Sequence, residues 1–224
     1  MSENPSNHNK KRVLLVDDHP VLRKGLVRLI DSKNGFVVCG EAGSATEAMA
    51  LMHELKPHLV IVDIGLPGAS GIELTKTIRA QFPNIPVLIL SMHEEALYAS
   101  RALRAGAVGY IVKQDAIDNI ATALQQTLQG QRYLSPSIAK QFQADGSQDQ
   151  PQSSHDLIAS LTDRELEIFQ LIGKGRDVRE MAQALNVSPK TVETHRTNIK
   201  EKLKLKNSRE VARIALQWIS EHPS

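Results

Sequence analysis

Over its first 130 residues the chain alternates between short apolar runs and longer stretches of helical period. Arg12-Val13-Leu14-Leu15-Val16 is a continuous apolar run ending in Asp17-Asp18. Pro20 and the apolar positions Val21, Leu22, Leu26, Leu29 and Ile30 then recur at spacings of three and four, which predicts a helix. Phe36-Val37-Val38-Cys39 predicts a second strand, and Ser44 with Glu47 reads as a capping box that opens a helix through Leu55. Leu59-Val60-Ile61-Val62 is a third strand with Asp63 at its carboxyl end. Leu66-Pro67-Gly68 turns the chain after it. Ile72 to Phe82 is helical. Pro86-Val87-Leu88-Ile89-Leu90 is a fourth strand ending at Ser91, and Glu94 to Arg104 is helical. The fifth strand is Val108-Gly109-Tyr110-Ile111-Val112, and Asp115 caps a helix to about Leu128.

These strands are apolar throughout instead of alternating, as strands covered on both faces are. Five of them interleaved with five helices predict an α/β fold, a doubly wound five-stranded parallel sheet. Tyr133 to Phe142 is expected as a helical extension. Gln143 to Asp156 has no apolar residue except Ala144, and its composition is that of a flexible linker.

The remainder is helical in pattern. Thr162 and Glu165 form a capping box before a helix to Ile172, which Gly173 and Gly175 terminate. Asp177 caps a short helix through Ala184. Asn186-Val187-Ser188 is a tight turn, after which Ser188 caps and Pro189 takes the first position of a helix to about Leu203. Ser208 caps a fourth helix ending near Ile219. Two helices joined by a three- to four-residue turn make a helix-turn-helix. The expected organisation is therefore a disordered N-terminus (1–11), an α/β domain (12–130), an extension and linker (131–157), and an all-α four-helix domain (158–224).

Charge changes the picture only locally. The whole chain has a net charge of +2, but the segment from Lys190 to Lys206 holds six basic residues against two acidic ones. A basic segment in a near-neutral protein points to a polyanionic partner. The single cysteine, Cys39, excludes an intramolecular disulfide framework and any Cys-rich metal site. Met1 to Lys11 lacks the apolar core of a signal peptide, and no run approaches the ~18 apolar residues of a membrane span. The expectation is a cytoplasmic protein with no membrane partner.

The candidate chemistry lies at the strand ends. In a doubly wound sheet these share one edge, and there they deliver Asp17, Asp18, Asp63, Ser91 and Lys113. Converging carboxylates with no His or Cys among them suit a hard cation such as Mg²⁺. No Gly-rich phosphate loop follows the first strand, so a nucleotide-binding reading is weak. With a cation bound, Asp63 stays ionised and can attack phosphorus, while the Lys113 ammonium neutralises the transferred group and the Ser91 hydroxyl donates to it.

With Tyr110 added, these residues resemble the receiver domain of two-component response regulators, over about Lys11 to Leu128. The most telling stretch is the Asp-x-x-Leu-Pro-Gly-x-x-Gly run from Asp63 to Gly71. The resemblance implies a CheY-like receiver in which Asp63 accepts a phosphoryl group from a sensor histidine kinase. It implies Mg²⁺ bound by Asp18, by Asp17 directly or through water, by Asp63, and by the Gly65 carbonyl. It also implies that Ser91 and Tyr110 form a switch pair, with the hydroxyl moving toward the phosphate and the ring turning inward. Gly65 and His93 flank the path of the hydrolytic water. An aspartyl phosphatase resembling the haloacid dehalogenases would need a second carboxylate two residues after the nucleophile. Gly65 stands there, so the chain is expected not to be an enzyme beyond its own phosphorylation and dephosphorylation.

The segment from about Ser160 to Trp218, and Ser188-Pro189-Lys190-Thr191-Val192-Glu193-Thr194-His195 above all, resembles the helix-turn-helix domain of LuxR/FixJ (NarL-type) regulators. That implies sequence-specific recognition of double-stranded DNA by a transcriptional regulator. Glu193, Thr194 and Thr197 would face bases, with Lys190, Thr191 and Lys200 nearer phosphates. His195 is either a phosphate contact or a surface histidine. Val211, Ala215 and Trp218 form a stripe that would close the small core and supply a homodimer contact on activation.

Overall fold

The computed structural model describes residues 10–68, 70–92, 96–145, 158 and 160–221. The chain divides into two compact units, Met1–Asp145 and Gly146–Ser224.

In the first unit β1 (Lys11–Val16), β2 (Phe36–Ala42), β3 (Leu59–Asp63), β4 (Val87–Ser91), β5 (Gly109–Val112) and β6 (Tyr133–Leu134) form one sheet, ordered β2-β1-β3-β4-β5-β6. Every neighbouring pair is parallel. The helices are α1 (Pro20–Asp31), α2 (Ala45–Leu55), α3 (Gly71–Gln81), α4 (Ala96–Arg104), α5 (Ala116–Leu128) and α6 (Pro136–Asp145). Strand order reverses between β1 and β3, which opens a crevice beyond their carboxyl ends. Val13, Leu14, Leu15 and Val16 are all fully buried, as are Leu59 to Val62 and Val87 to Leu90. The sheet is covered on both faces, and each such aliphatic side chain contributes about 1.5–3 kcal/mol. On one face Val13, Leu15, Leu59, Ile61, Leu88, Leu90 and Ile111 pack with Leu26 and Ile30 of α1 and Ile120 and Leu124 of α5.

Several expectations need correction. The sheet has six strands, not five. Tyr133-Leu134, read as helical, pairs with Gly109-Tyr110 and covers the outer edge of β5, because exposed N–H and C=O groups on a central-type strand need partners. The helical extension starts only at Pro136 and continues through Gln143–Asp145, which composition had assigned to the linker. Glu47 does not close a capping box on Ser44. Ser44 Oγ accepts from the Glu47 N–H, but the Glu47 carboxylate accepts from Gly43 N–H at 2.7 Å. Asp115 stands before α5 in helical conformation without capping it, and its carboxylate accepts from Ser137 Oγ instead at 3.4 Å. Most of the expected linker and of the N-terminal tail, together with His93 and Glu94, lie outside the described residues.

The second unit consists of α7 (Asp163–Gly173), α8 (Val178–Ala184), α9 (Pro189–Lys202) and α10 (Ser208–Glu221). Thr162 with Glu165 and Asp177 with Glu180 both form complete capping boxes. Asn186 takes φ 49° in the turn before α9, a conformation Asn tolerates better than most residues. The cap of α10 is Asn207, not Ser208: Asn207 Oδ1 accepts from Glu210 N–H at 3.0 Å. Leu166, Phe169, Val192, Ile199, Val211, Ala215 and Trp218 make the core. Phe169 and Trp218 meet edge-on at 6.3 Å. Gly173 allows α7 and α10 to touch, since a Cβ there would lie 2.6 Å from the Ala215 carbonyl oxygen. Among the described residues no helix is long and apolar enough to cross a membrane.

Candidate functional site

The crevice beyond β1 and β3 holds the groups that the sequence places at strand ends. Asp17 is fully buried and Asp63 nearly so. Lys113, on the far side of β4, reaches across to both. Its Nζ lies 2.8 Å from Asp17 Oδ2 and 2.7 Å from Asp63 Oδ2. The backbone fixes these positions. Lys113 N–H donates to the Ser91 carbonyl at 2.7 Å, and Asp17 N–H to the Ala42 carbonyl at 3.0 Å. After Asp63 the chain folds back so closely that a Cβ at Gly71 would sit 2.0 Å from the Asp63 carbonyl oxygen. Only glycine fits there, which accounts for the last residue of the Asp-x-x-Leu-Pro-Gly-x-x-Gly run.

Electrostatically the pocket holds more carboxylate than cation. Burial raises the Asp63 pKa above the usual carboxylate range. The Lys113 charge pulls it back, the Asp17 charge adds to the rise, and hydrogen bonds from Lys113 and the Gly65 backbone offset part of it. Burial also works against the Lys113 ammonium, yet the Asp63 charge, the hydrogen bonds to Asp17 and Asp63, and the Asp17 charge outweigh it and hold its pKa above the usual value. Lys113 is thus a fixed cation, and Asp63 is a carboxylate whose charge is incompletely compensated.

Two residues that sequence reasoning overlooked join the pocket. His19 Nδ1 lies 2.6 Å from Asp18 Oδ1 and 3.2 Å from Asp17 Oδ1, and its N–H donates to Asp17 Oδ1 at 2.7 Å. Arg23 holds the Asp17 carbonyl and pairs with Glu41 at 3.0 Å. Adjacency of His19 to the acidic pair was the available signal; for Arg23 there was none, since it comes from one turn into α1. Donor atoms of Asp17, Asp18, His19 and Asp63 all lie within 4.8 Å of one another. Asp18 Oδ1 is buried, and its one close partner is the His19 ring nitrogen at 2.6 Å. Three carboxylates converging on one point, with only Lys113 and the His19 ring beside them, fit a divalent cation. Gly65 lies next to Asp63, a Cβ there being 3.9 Å from Asp63 Oδ2.

Ser91 and Tyr110 are both fully buried. The register Ile89↔Tyr110 and Ser91↔Val112 puts them on the same face of the sheet.

In the second unit α9 turns Val192 and Ile199 into the core and leaves Lys190, Glu193, Thr194 and Thr197 exposed, with Thr191 and Lys200 partly so. The Thr194 and Thr197 hydroxyls donate to the carbonyls of Lys190 and Glu193, each at 3.0 Å. Their hydroxyl protons are thereby used within the helix. Arg196, which sequence reasoning passed over, donates to Glu193 Oε1 at 3.0 Å. His195 is half-buried, and its Nδ1 has no hydrogen-bond partner among the described residues. Burial, and then the Arg164 charge, push its pKa down. Lys202, at the end of α9, holds the buried Glu165 carboxylate of α7 at 2.7 Å.

A doubly wound parallel sheet with an acidic, lysine-bridged crevice, followed by a helix-turn-helix, defines a receiver domain joined to a DNA-binding output domain. Comparison with known proteins agrees. Residues 13–125 match the response regulator receiver domain, and residues 159–215 match the bacterial regulatory proteins of the luxR family. Response regulator GacA of Pseudomonas aeruginosa is 35% identical over 206 residues, covering 92% of this chain and 95% of that protein. Response regulator UvrY of Escherichia coli is 34% identical over 205 residues, covering 92% and 93%. Among solved structures, RcsB from Salmonella enterica serovar Typhimurium, bound to promoter rprA in the presence of phosphomimetic BeF3-, matches with 25% identity and a TM-score of 0.60, covering 92% of this chain and 98% of that one. A LuxR-family two-component response regulator from Aurantimonas matches with 38% identity and a TM-score of 0.60, covering 62% of this chain and 99% of that one. The chain belongs to the LuxR family of two-component response regulators. It is a transcriptional regulator with a receiver domain and a DNA-binding domain.

Proposed function

We propose that Asp63 is the phosphoryl acceptor and that its phosphorylation by a sensor histidine kinase controls DNA binding through α9. The observation that carries this is the Lys113 ammonium shared between Asp63 and Asp17 in a buried crevice. An Asp63 oxygen attacks phosphorus. The P–N bond to the donor histidine breaks, and the leaving nitrogen takes up a proton. Lys113 lies where it can follow the transferred oxygens, and the Ser91 hydroxyl can donate to one of them. The carboxylates of Asp17, Asp18 and Asp63, with the Gly65 carbonyl, would hold Mg²⁺, which supplies charge neutralisation on the phosphoryl oxygens. Because the excess negative charge in the pocket is then satisfied, Asp63 remains ionised and nucleophilic. The chain catalyses nothing beyond its own phosphorylation and dephosphorylation.

On the output side Glu193, Thr194 and Thr197 meet base edges in the major groove, while Lys190, Thr191 and Lys200 approach phosphates. Since the threonine hydroxyl protons are used inside the helix, their methyl groups and remaining lone pairs face the groove. His195 is half-buried, with the Arg164 and Glu165 charges of α7 acting on it, and supports α9 in preference to touching DNA. The similar structure of two RcsB dimers bound to two parallel DNAs favours binding as a homodimer, which the exposed Leu216 beside Ala215 on α10 would serve.

The test is incubation with a small-molecule phosphoryl donor and Mg²⁺, followed by intact-mass measurement. Wild type should gain one phosphoryl group. Asp63→Asn should gain none, and an undiminished adduct in that variant would refute the assignment.

A further inference from the structure

Residues 133–145 take no part in the pocket or in α9, yet their side chains grip the backbone around the pocket. Ser135 N–H donates to the Tyr110 carbonyl at 3.0 Å. The buried Ser135 hydroxyl accepts from Val112 N–H at 2.8 Å. It thereby continues the β5–β6 ladder where Pro136 has already turned the chain off the sheet. Val112 directly precedes Lys113, whose own N–H bonds to the Ser91 carbonyl. Further along α6, Gln141 Oε1 accepts from Ala96 N–H at 2.9 Å. That N–H is one of the donors that the first turn of α4 cannot satisfy internally. Between these two grips Ile138 is fully buried.

The segment is therefore fastened at two points, the Lys113 end of β5 and the first turn of α4. The Val112 bond is buried and the Ala96 bond partly so, and an N–H left unpaired away from water costs free energy, so these bonds resist being broken individually. A shift of either element must carry the segment with it or give up one of these bonds. The far end of α6, Asp145, borders the second unit in sequence.

We propose that β6–α6 is the element that carries a change at the Asp63 pocket toward the output domain, with Ser135 and Gln141 as its positioning residues. The proposal rests on the reading that Asp63 is phosphorylated. Its structural content is that α6 follows β5 and α4 because two side-chain acceptors, and not only apolar packing, tie it to their backbones.

Hydrogen exchange of the full chain, with and without a small-molecule phosphoryl donor and Mg²⁺, tests it, and intact mass reports the adduct. In wild type, peptides spanning 136–143 should change exchange rate about threefold or more once the adduct forms. Gln141→Leu should form the adduct as wild type does while losing that response. Gln141→Glu, which keeps the accepting oxygen at the helix N-terminus, should retain it. A complete wild-type adduct with unchanged exchange over 136–143 would overturn the proposal. So would a wild-type response in Gln141→Leu. No adduct on wild type would instead refute the Asp63 assignment, and the proposal would fall with it.

Discussion

Lys113 Nζ and Asp63 Oδ2 lie 2.7 Å apart, joining positions fifty residues apart in the chain. The same ammonium reaches Asp17 Oδ2 at 2.8 Å, so one cation serves two buried carboxylates. That imbalance sets the stability of the receiver as well as its chemistry.

Asp63→Asn should stabilise the receiver at neutral pH without metal. The native pKa of Asp63 is raised, chiefly by burial, above its unfolded value of about 3.9. A raised value means a contribution fully present below the unfolded pKa and lost as pH rises through the native one. Above the unfolded value the buried acid is thus a liability that Asn removes, while Lys113 keeps Asp17. We expect a gain of about 1 kcal/mol, a rise in Tm of roughly 3–5 °C. Thermal melts should show the gain shrinking as the pH is lowered toward about 4. A loss of stability at neutral pH would contradict the charge imbalance.

Mg²⁺ should raise the receiver Tm in a concentration-dependent way, by about 1.4 kcal/mol at ten times its Kd. Asp18→Ala removes one carboxylate of the cluster and should abolish most of that gain, whereas His19→Ala should leave the greater part of it. Thermal melts across a Mg²⁺ series would separate the two variants.

Contacts made by α9 should divide by kind. Lys190→Ala should weaken binding to all DNA sequences alike and reduce the slope of log affinity against log salt by about 1. Thr194→Ser keeps the hydroxyl but removes the methyl group. It should lower discrimination at one base pair by about 1 kcal/mol, leaving affinity for unrelated DNA unchanged. Binding isotherms at several salt concentrations on a selected target and on random duplex would test both.

The Glu165–Lys202 pair should make the output domain acid-sensitive. Burial pushes Glu165 up, but hydrogen bonds from Lys202 and from the Thr162 backbone and side chain outweigh it and hold its pKa below the usual value. A lowered value contributes stability above the unfolded pKa of about 4.3, lost as pH falls through the native one. Lys202→Met should cost about 1–2 kcal/mol at pH 7, and less as the carboxylate is protonated. Urea titrations at pH 7 and below pH 4.5 or so would show the difference narrowing.

Much of this molecule is legible without coordinates because its signals are local. Short, mostly β-branched aliphatic runs bounded by turn residues, such as Leu59 to Val62, read as strands covered on both faces. Thr162 with Glu165, and Ser188 with Pro189, mark helix starts through bonds made within one turn. The acidic pair, Asp63, Ser91 and Lys113 fall at successive strand ends, so alternation of strands and helices already brings them to one edge.

What the tertiary structure decided concerns groups whose partners are remote. Tyr133-Leu134 is a strand because the edge of β5 needs hydrogen bonds, a need written nowhere in those two residues. Asp115 and Ser208 have the composition of caps, but Ser137 engages the first and Asn207 displaces the second. His195 reads equally as a phosphate contact or a surface residue, and the fold half-buries it within reach of the Arg164 charge on α7. Even at Asp63 the sequence determined a carboxylate at a strand end and its likeness to a phosphoryl acceptor. Only the fold set its distance from Lys113, its contact with the Gly71 backbone and its excess of negative neighbours, because each depends on chain segments that packing alone brings together.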